Sequence, residues 1–214
     1  MGAGCVALKD FGESLRAVPQ PTKIKETYPV SHTALLIPNF YQLLLAIDAD
    51  HAEQVRAAGC SCGGALHVGD FPRKPRGGPP WFRNIEHWRL SFCCARCRLR
   101  HTPRSVLYLG RRVYVGAVVV LGSALRSTLS GRALQTLCAT LGVPRSTLDR
   151  WRAWWATSVP ATPFWCAARA DFAPPVALPL PADLLTRFQG AEEGERLRHA
   201  LRFVRPLSTV TEGR

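Results

Sequence analysis

The stretches Cys60-Ser-Cys-Gly-Gly64 and Cys93-Cys-Ala-Arg-Cys97 decide how this chain is read. Two short cysteine groups about thirty residues apart have the form of a four-ligand zinc site. Thiolates bind Zn²⁺ tightly, and each pair sits on a tight turn that aims both sulfurs at one metal. Gly63 and Gly64 suit such a turn, since glycine accepts the positive φ that brings backbone N–H groups near sulfur. Cys60, Cys62, Cys94 and Cys97 form the preferred ligand set. Cys94-x-x-Cys97 has the usual knuckle spacing, and Cys94 shares a strand face with Leu90 and Phe92, whereas Cys60-x-Cys62 is one residue shorter than usual. Cys93 stays open as an alternative partner of Cys97, and His67, His87 and His101 stay open as substitute ligands. A catalytic zinc keeps an open position and needs a carboxylate nearby. Glu86 is the one carboxylate close in sequence to the second group, so the expected zinc is structural and supplies folding free energy to its module.

Working outward, the cysteines bracket a basic block. The 214-residue chain has a formal charge of +13, unevenly placed. Residues 1–70 carry 5 basic and 7 acidic side chains, whereas residues 71–112 carry 11 basic side chains against Glu86 alone. Arg73, Lys74, Arg76, Arg98, Arg100, Arg104, Arg111 and Arg112 are the candidate nucleic-acid contacts of that block. So concentrated a positive charge points to a polyanionic partner. A 47% apolar fraction is that of a folded protein. The N-terminus has no basic segment followed by an apolar one, and the apolar run Val113–Leu125 is shorter than the ~20 residues that span a bilayer. A soluble cytoplasmic protein is expected, with its cysteines as metal ligands and buried thiols rather than disulfides.

Along the chain, residues 1–38 read as a loose arm. A helix plus zinc-ribbon-like module is expected over 39–112, the helix capped by Asn39, presenting Phe40, Leu43, Leu44, Ile47 and Val55, and ending at Gly59. Residues 69–80 read as a basic Pro/Gly loop, Glu86–Cys93 as a strand, and Ser105–Leu109 as its return partner. Over 113–157 a helical module is expected, opened by a buried helix near 112–125. Residues 158–214 read as a Pro/Ala-rich linker and two short helices near 182–189 and 192–203. The fold class that follows is α+β and mostly helical, a small zinc-ribbon β module followed by a helix-turn-helix bundle.

The helix-turn-helix pattern lies in the segment from Ala133 to Trp151. Cys138, a small residue, stands four positions before the turn glycine Gly142, and Leu137, Leu141, Val143, Leu148 and Trp151 supply the apolar contacts between helices. Pro144 opens the second helix. Arg145, Ser146, Asp149 and Arg150 then fall outward, with Thr147 and Arg152 at the margin of that face; Arg can read guanine edges and Ser or Thr can serve bases or phosphates. Trp151, Trp154 and Trp155 read as core or interface rather than as a base-stacking platform.

Residues 60–67 (CSCGGALH), 70–77 (DFPRKPRG), 93–103 (CCARCRLRHTP) and 141–152 (LGVPRSTLDRWR) resemble the DNA-binding front end of insertion-sequence transposases, in which a zinc ribbon precedes a helix-turn-helix. The resemblance covers under half the chain. It implies end recognition of a mobile element, with Cys60, Cys62, Cys94 and Cys97 as metal ligands and the helix from Pro144 as the reader. Such transposases cut DNA with three carboxylates holding two Mg²⁺ ions in a sheet-based domain. After the helix-turn-helix only Asp171, Asp183, Glu192, Glu193, Glu195 and Glu212 remain, in a segment too short for that domain. The expectation is therefore a non-catalytic protein that binds duplex DNA and works with a separate transposase catalytic subunit. The alternatives are an RNA-binding zinc ribbon stacking bases on Trp81, Phe82 and Trp88, or a metal-dependent nuclease.

Overall fold

A computed structural model describes residues 33–109, 114–125 and 129–208. The fold is mixed α+β and mostly helical. Of the expected loose arm, residues 1–32 lie outside the described residues, while Thr33–Leu36 forms a 3₁₀ turn that buries Ala34 and Leu35. Helix α1 (Pro38–Ala58) starts two residues earlier than a cap at Asn39 would have it. Ile37 holds the cap position in extended conformation and Pro38 is the first helical residue, where its missing N–H leaves nothing unpaired. The first half of α1 buries Phe40, Tyr41, Leu44 and Ile47 in the main core, and its second half lays Ala52 and Val55 on the ribbon. Gly59, at φ 70°, ends it and turns the chain into the first cysteine pair.

The ribbon is a three-stranded antiparallel sheet in the order β1 (Leu66–Val68), β4 (Phe92–Cys94), β5 (Arg100–His101). Leu66 stands opposite Cys94 and Val68 opposite Phe92, so the alternating buried side chains of β4 meet Ala52, Cys60 and Leu66 in a small core of their own. A second ladder pairs β2 (Phe71–Arg73) with β3 (His87–Arg89), placing Pro72 opposite Trp88. The expected basic loop thus contains a short strand, and a two-stranded ladder tolerates Pro72 because both of its strands are edges. Helix α2 (Pro80–Arg83) lies in the connection from β2 to β3.

Two expectations about strands need correction. The run from Glu86 to Cys93 divides into β3 and β4, which belong to different sheets. The break falls at buried Ser91, whose N–H donates to Asp70 Oδ1 at 2.7 Å. Its expected return partner pairs elsewhere: β6 (Tyr108–Leu109) joins β7 (Tyr114–Val115), because both edges of β4 are already occupied by β1 and β5.

Helix α3 (Gly116–Leu125) is buried along its whole length and forms the centre of the large core. Gly122 lets α5 (Arg145–Ala153) approach, since a Cβ there would stand 3.0 Å from the Leu148 side chain. The partner of α5 is α4 (Gly131–Leu141), capped by the Ser130 hydroxyl. Pro144 is the cap residue of α5 rather than its first helical position, and α5 runs on into a π-helical turn over Trp154–Ser158. Trp151 and Trp155 are buried, the latter completely.

The expected linker over 158–181 is packed instead. It contains α6 (Pro163–Ala168), and Val159, Trp165 and Leu180 are buried in the large core. Trp165 and Phe172 stack, and Phe172 meets Phe188 and Phe203 edge-on. Helices α7 (Ala182–Thr186) and α8 (Glu193–Val204) follow and complete that core with Leu184, Leu185, Leu197, Ala200, Leu201 and Val204. Each of these apolar side chains removes surface from water at about 25 cal/mol per Å². A segment carrying an indole and several leucines is therefore drawn onto the core despite its prolines.

Candidate metal centre and basic surface

Two turns build the cysteine cluster. In the first, the Gly63 N–H donates to the Cys60 carbonyl at 2.8 Å, with Gly63 at φ 75°. Gly64 is required for a different reason: a Cβ there would lie 2.6 Å from Cys94 Sγ. In the second turn, the N–H groups of Arg96 and Cys97 point at Cys94 Sγ at 3.4 and 3.5 Å, and Arg98 closes the knuckle in the left-handed region at φ 61°. A strand hydrogen bond from Cys94 N–H to the Leu99 carbonyl and one from Arg98 N–H to the Cys94 carbonyl hold that turn shut. The two turns are tied together by Ala95 N–H donating to Ala65 O and by Arg96 Nη1 donating to Cys62 O, both at 2.9 Å.

The sulfurs of Cys60, Cys62, Cys94 and Cys97 all lie within 4.8 Å of one another. Three of the separations are 3.5 Å (Cys60–Cys97), 3.5 Å (Cys60–Cys62) and 3.4 Å (Cys62–Cys94). Four sulfurs each ~2.3 Å from one ion stand ~3.8 Å apart in a regular tetrahedron, so the four can close on a metal with small movements. The short Cys60-x-Cys62 spacing is accommodated because Gly59 and Gly63 both take positive φ on either side of it. Cys93 points away, toward the Arg98 carbonyl at 3.6 Å. His87 stacks on Phe82 at 4.2 Å between ring centroids, and His67 is an exposed residue opposite Cys93 in the ladder.

Electrostatics favour a cation at this point. Backbone N–H groups of Cys97 and Arg96 pull the Cys94 thiol down to about 6. The Leu99 N–H also pulls on Cys97, but the neighbouring Cys60, Cys62 and Cys94 sulfurs outweigh it and push that thiol up to about 12. Four adjacent sulfurs cannot all ionise against one another, and a divalent ion removes that conflict by taking each as thiolate. The ladders and the Ala52–Phe92 core shield one side of the cluster, while Cys97 is exposed.

The basic residues divide into two groups. Arg73, Lys74, Arg76, Arg96, Arg98, Arg100 and Arg104 are exposed. Arg73 lies over the Phe71 ring at 4.4 Å, with Arg100 at 5.4 Å from the same ring. Arg89 and Arg83 are turned to structural use. Arg89 is buried and donates to the Pro103 carbonyl at 2.5 Å, close to the Asp48 carboxylate. Asp48 accepts from Ser105 Oγ and from the Val106 N–H, and burial raises its pKa. Arg83 reaches across to the helical module, donating from Nη1 to the carbonyls of Gly78 (3.0 Å) and Thr140 (3.1 Å). Arg111 and Arg112 lie outside the described residues. Sequence reasoning missed the structural use of Arg83 and Arg89 because no local pattern separates an inward arginine from an outward one.

On the helical module, Gly142 ends α4 in the left-handed conformation at φ 62° and ψ 38°, and a Cβ at that point would land on the Arg83 guanidinium. The turn delivers α5 with Arg145, Ser146 and Arg150 exposed. Thr147 corrects the expectation for this face. It is only 3% exposed, packs beside Leu148 and Trp151, and its hydroxyl accepts from Arg150 Nη2 at 2.8 Å. The helical period places it under the surface, where it positions Arg150 instead of contacting a ligand. Among the described residues no helix is long and apolar enough to cross a membrane. No protein family, curated protein or solved structure matches the chain, so what is established here is a mostly helical α+β fold carrying a four-cysteine candidate metal centre.

Proposed function

We propose that this is a non-catalytic duplex-DNA-binding protein stabilised by one structural zinc ion held by Cys60, Cys62, Cys94 and Cys97. The observation that carries the reading is the exposed start of α5, with Arg145, Ser146 and Arg150 projecting beyond a helix pair whose other face is buried in the core. Helices presented in this way enter the major groove, and their first-turn side chains reach base edges. The exposed arginines of the ribbon contribute phosphate contacts, which supply affinity without sequence preference. Zinc is the ion of choice because an all-thiolate, closed, four-ligand site suits a structural role. The resemblance to transposase recognition modules supports a partner role beside a separate transposase catalytic subunit, in the cytoplasm.

Metal analysis of the purified protein and a gel-shift assay test the reading. It expects one zinc per chain, a retarded duplex at low salt and relaxed sequence preference in Arg145→Ala and Arg150→Ala. Metal-loaded protein that retards no duplex at low salt overturns it, and divalent-dependent cutting abolished by one carboxylate substitution overturns the non-catalytic part. A second reading, an RNA-binding ribbon, is favoured by Trp88, which is 64% exposed, and by the exposed Trp81. Phe82, by contrast, is buried against Tyr41 and His87 and offers no stacking face. Single-stranded RNA that displaces duplex DNA at equal concentration would favour this second reading.

A further inference from the structure

Between β2 and α2 the surface folds into a cleft of about 390 Å³ lined by Arg73, Lys74, Arg76, Arg83 and Asn84 together with prolines. Among the described residues no carboxylate lines it. We infer that this cleft seats one backbone phosphate of the bound duplex, at a fixed offset from the bases that α5 reads. The inference rests on the DNA-binding reading above and adds to it a particular site and a particular register.

The chemistry of the lining selects an anion with several oxygens. Arg73, Lys74 and Arg76 are exposed cations, and Asn84 adds an exposed amide that can donate alongside them. Guanidinium groups match phosphate oxygens in a fork, while the lysine acts as a compact point charge. Arg83 forms the wall, and its Nη1 is spent on the Gly78 and Thr140 carbonyls, which keeps its charge in place whether or not a ligand is bound.

Further contacts fasten the floor of the cleft to β7, to α3 and to the α4–α5 turn. The Arg76 carbonyl accepts from the Val115 N–H at 3.0 Å. Gly77, at φ 79°, is pressed so closely that a Cβ would lie 3.1 Å from Val118 and 3.2 Å from Val143. Thr140 and Val143 flank Gly142, the turn from which α5 starts. The cleft and the first turn of α5 therefore sit on one packed unit. A phosphate held in the cleft stands at a set distance from the base edges reached by Arg145, in contrast to the diffuse attraction of scattered surface arginines.

The test uses the full-length, zinc-loaded chain and a duplex that it selects from a random pool. Each phosphate of that duplex is replaced in turn by an uncharged methylphosphonate. The intact protein should lose affinity sharply at one position beside the base pairs that α5 distinguishes. Lys74→Ala/Arg76→Ala should lose the sensitivity at that position alone while keeping the same base preference, with zinc content and melting temperature unchanged. One neutralised phosphate fewer also flattens the salt dependence, so between 50 and 200 mM salt the double variant should lose about 3.5-fold less affinity than the parent. A methylphosphonate profile identical in parent and variant overturns the seat while leaving DNA binding intact. A chain that selects no duplex overturns the functional reading and the seat with it. Pyrophosphate binding that the double variant abolishes, with the methylphosphonate profile unaltered, would make the cleft a site for small anions and refute the backbone assignment.

Discussion

Gly64→Ala offers the sharpest probe of the cysteine cluster, because it adds one methyl group and removes no ligand. The new Cβ would stand 2.6 Å from Cys94 Sγ, 2.8 Å from Arg96 Cβ and 3.3 Å from the Arg96 nitrogen. Non-bonded heavy atoms settle at about 3.5–4.0 Å, so the sulfur or the turn must retreat by about 1 Å. Metal–ligand distances tolerate only about 0.2 Å, and Cys94 Sγ is held from the other side by the Arg96 and Cys97 N–H groups. Overpacking of this kind costs about 1–3 kcal/mol, and the metal-loaded state carries it in full. That corresponds to roughly a 5- to 150-fold loss of zinc affinity. Competition against a chromophoric chelator reads the affinity directly, and thermal melting with and without added zinc reads its linkage to folding. Gly63→Ala is the matched control: a Cβ there meets nothing within 4 Å, and its cost is the left-handed backbone alone, about 1–2 kcal/mol, present with or without metal. Wild-type zinc affinity in Gly64→Ala would refute the placement of Gly64 against the cysteine cluster.

Other substitutions examine the joints of the fold. Arg83→Met removes both carbonyl contacts to Gly78 and Thr140 and should cost about 1.5–3 kcal/mol in urea unfolding, while leaving zinc content at its original value. Thr147→Val keeps the buried volume but deletes the hydroxyl that holds Arg150; about 1 kcal/mol of stability should go, with a smaller effect on base preference than Arg150→Ala. Asp48 has a pKa raised above its ordinary 3.8 by burial, so the folded state binds its proton more tightly than the unfolded one. Its contribution to stability is therefore largest at low pH and falls as pH rises through and above that range. Asp48→Asn should remove this component, which the difference between the two melting-temperature profiles over pH 4–8 isolates.

Some of this was readable from the chain alone. Cys60, Cys62, Cys94 and Cys97, picked out by spacing, are the four sulfurs that the fold brings within 4.8 Å; Cys93 and its ladder neighbour His67 stand apart because β4 points alternate side chains to opposite faces, and His87 because its strand belongs to another sheet. Gly142 ends α4 where the helical period and the glycine together demand it. The region from 158 to 181 misled because prolines and alanines dominate its composition, while Trp165 and Leu180, which anchor it, have no periodic neighbours to reveal their direction. The division of Glu86–Cys93 into two strands was likewise hidden, since its alternation continues across a break made by Asp70, a residue from another strand connection.

Local covalent geometry explains what the sequence determined by itself. A turn that aims two sulfurs, a left-handed glycine and a 3.6-residue apolar period each involve only a few neighbouring residues, so spacing is enough to announce the cysteine cluster and the α4–α5 pair. The charge of the central block was equally plain, but its division was not. Tertiary structure alone decided that Arg89 and Arg83 hold carbonyls, that Thr147 lies beneath α5, and that Arg73, Lys74 and Arg76 share one cleft. An arginine is the same residue on either side of a packing surface; what packs against it comes from parts of the chain dozens of residues away.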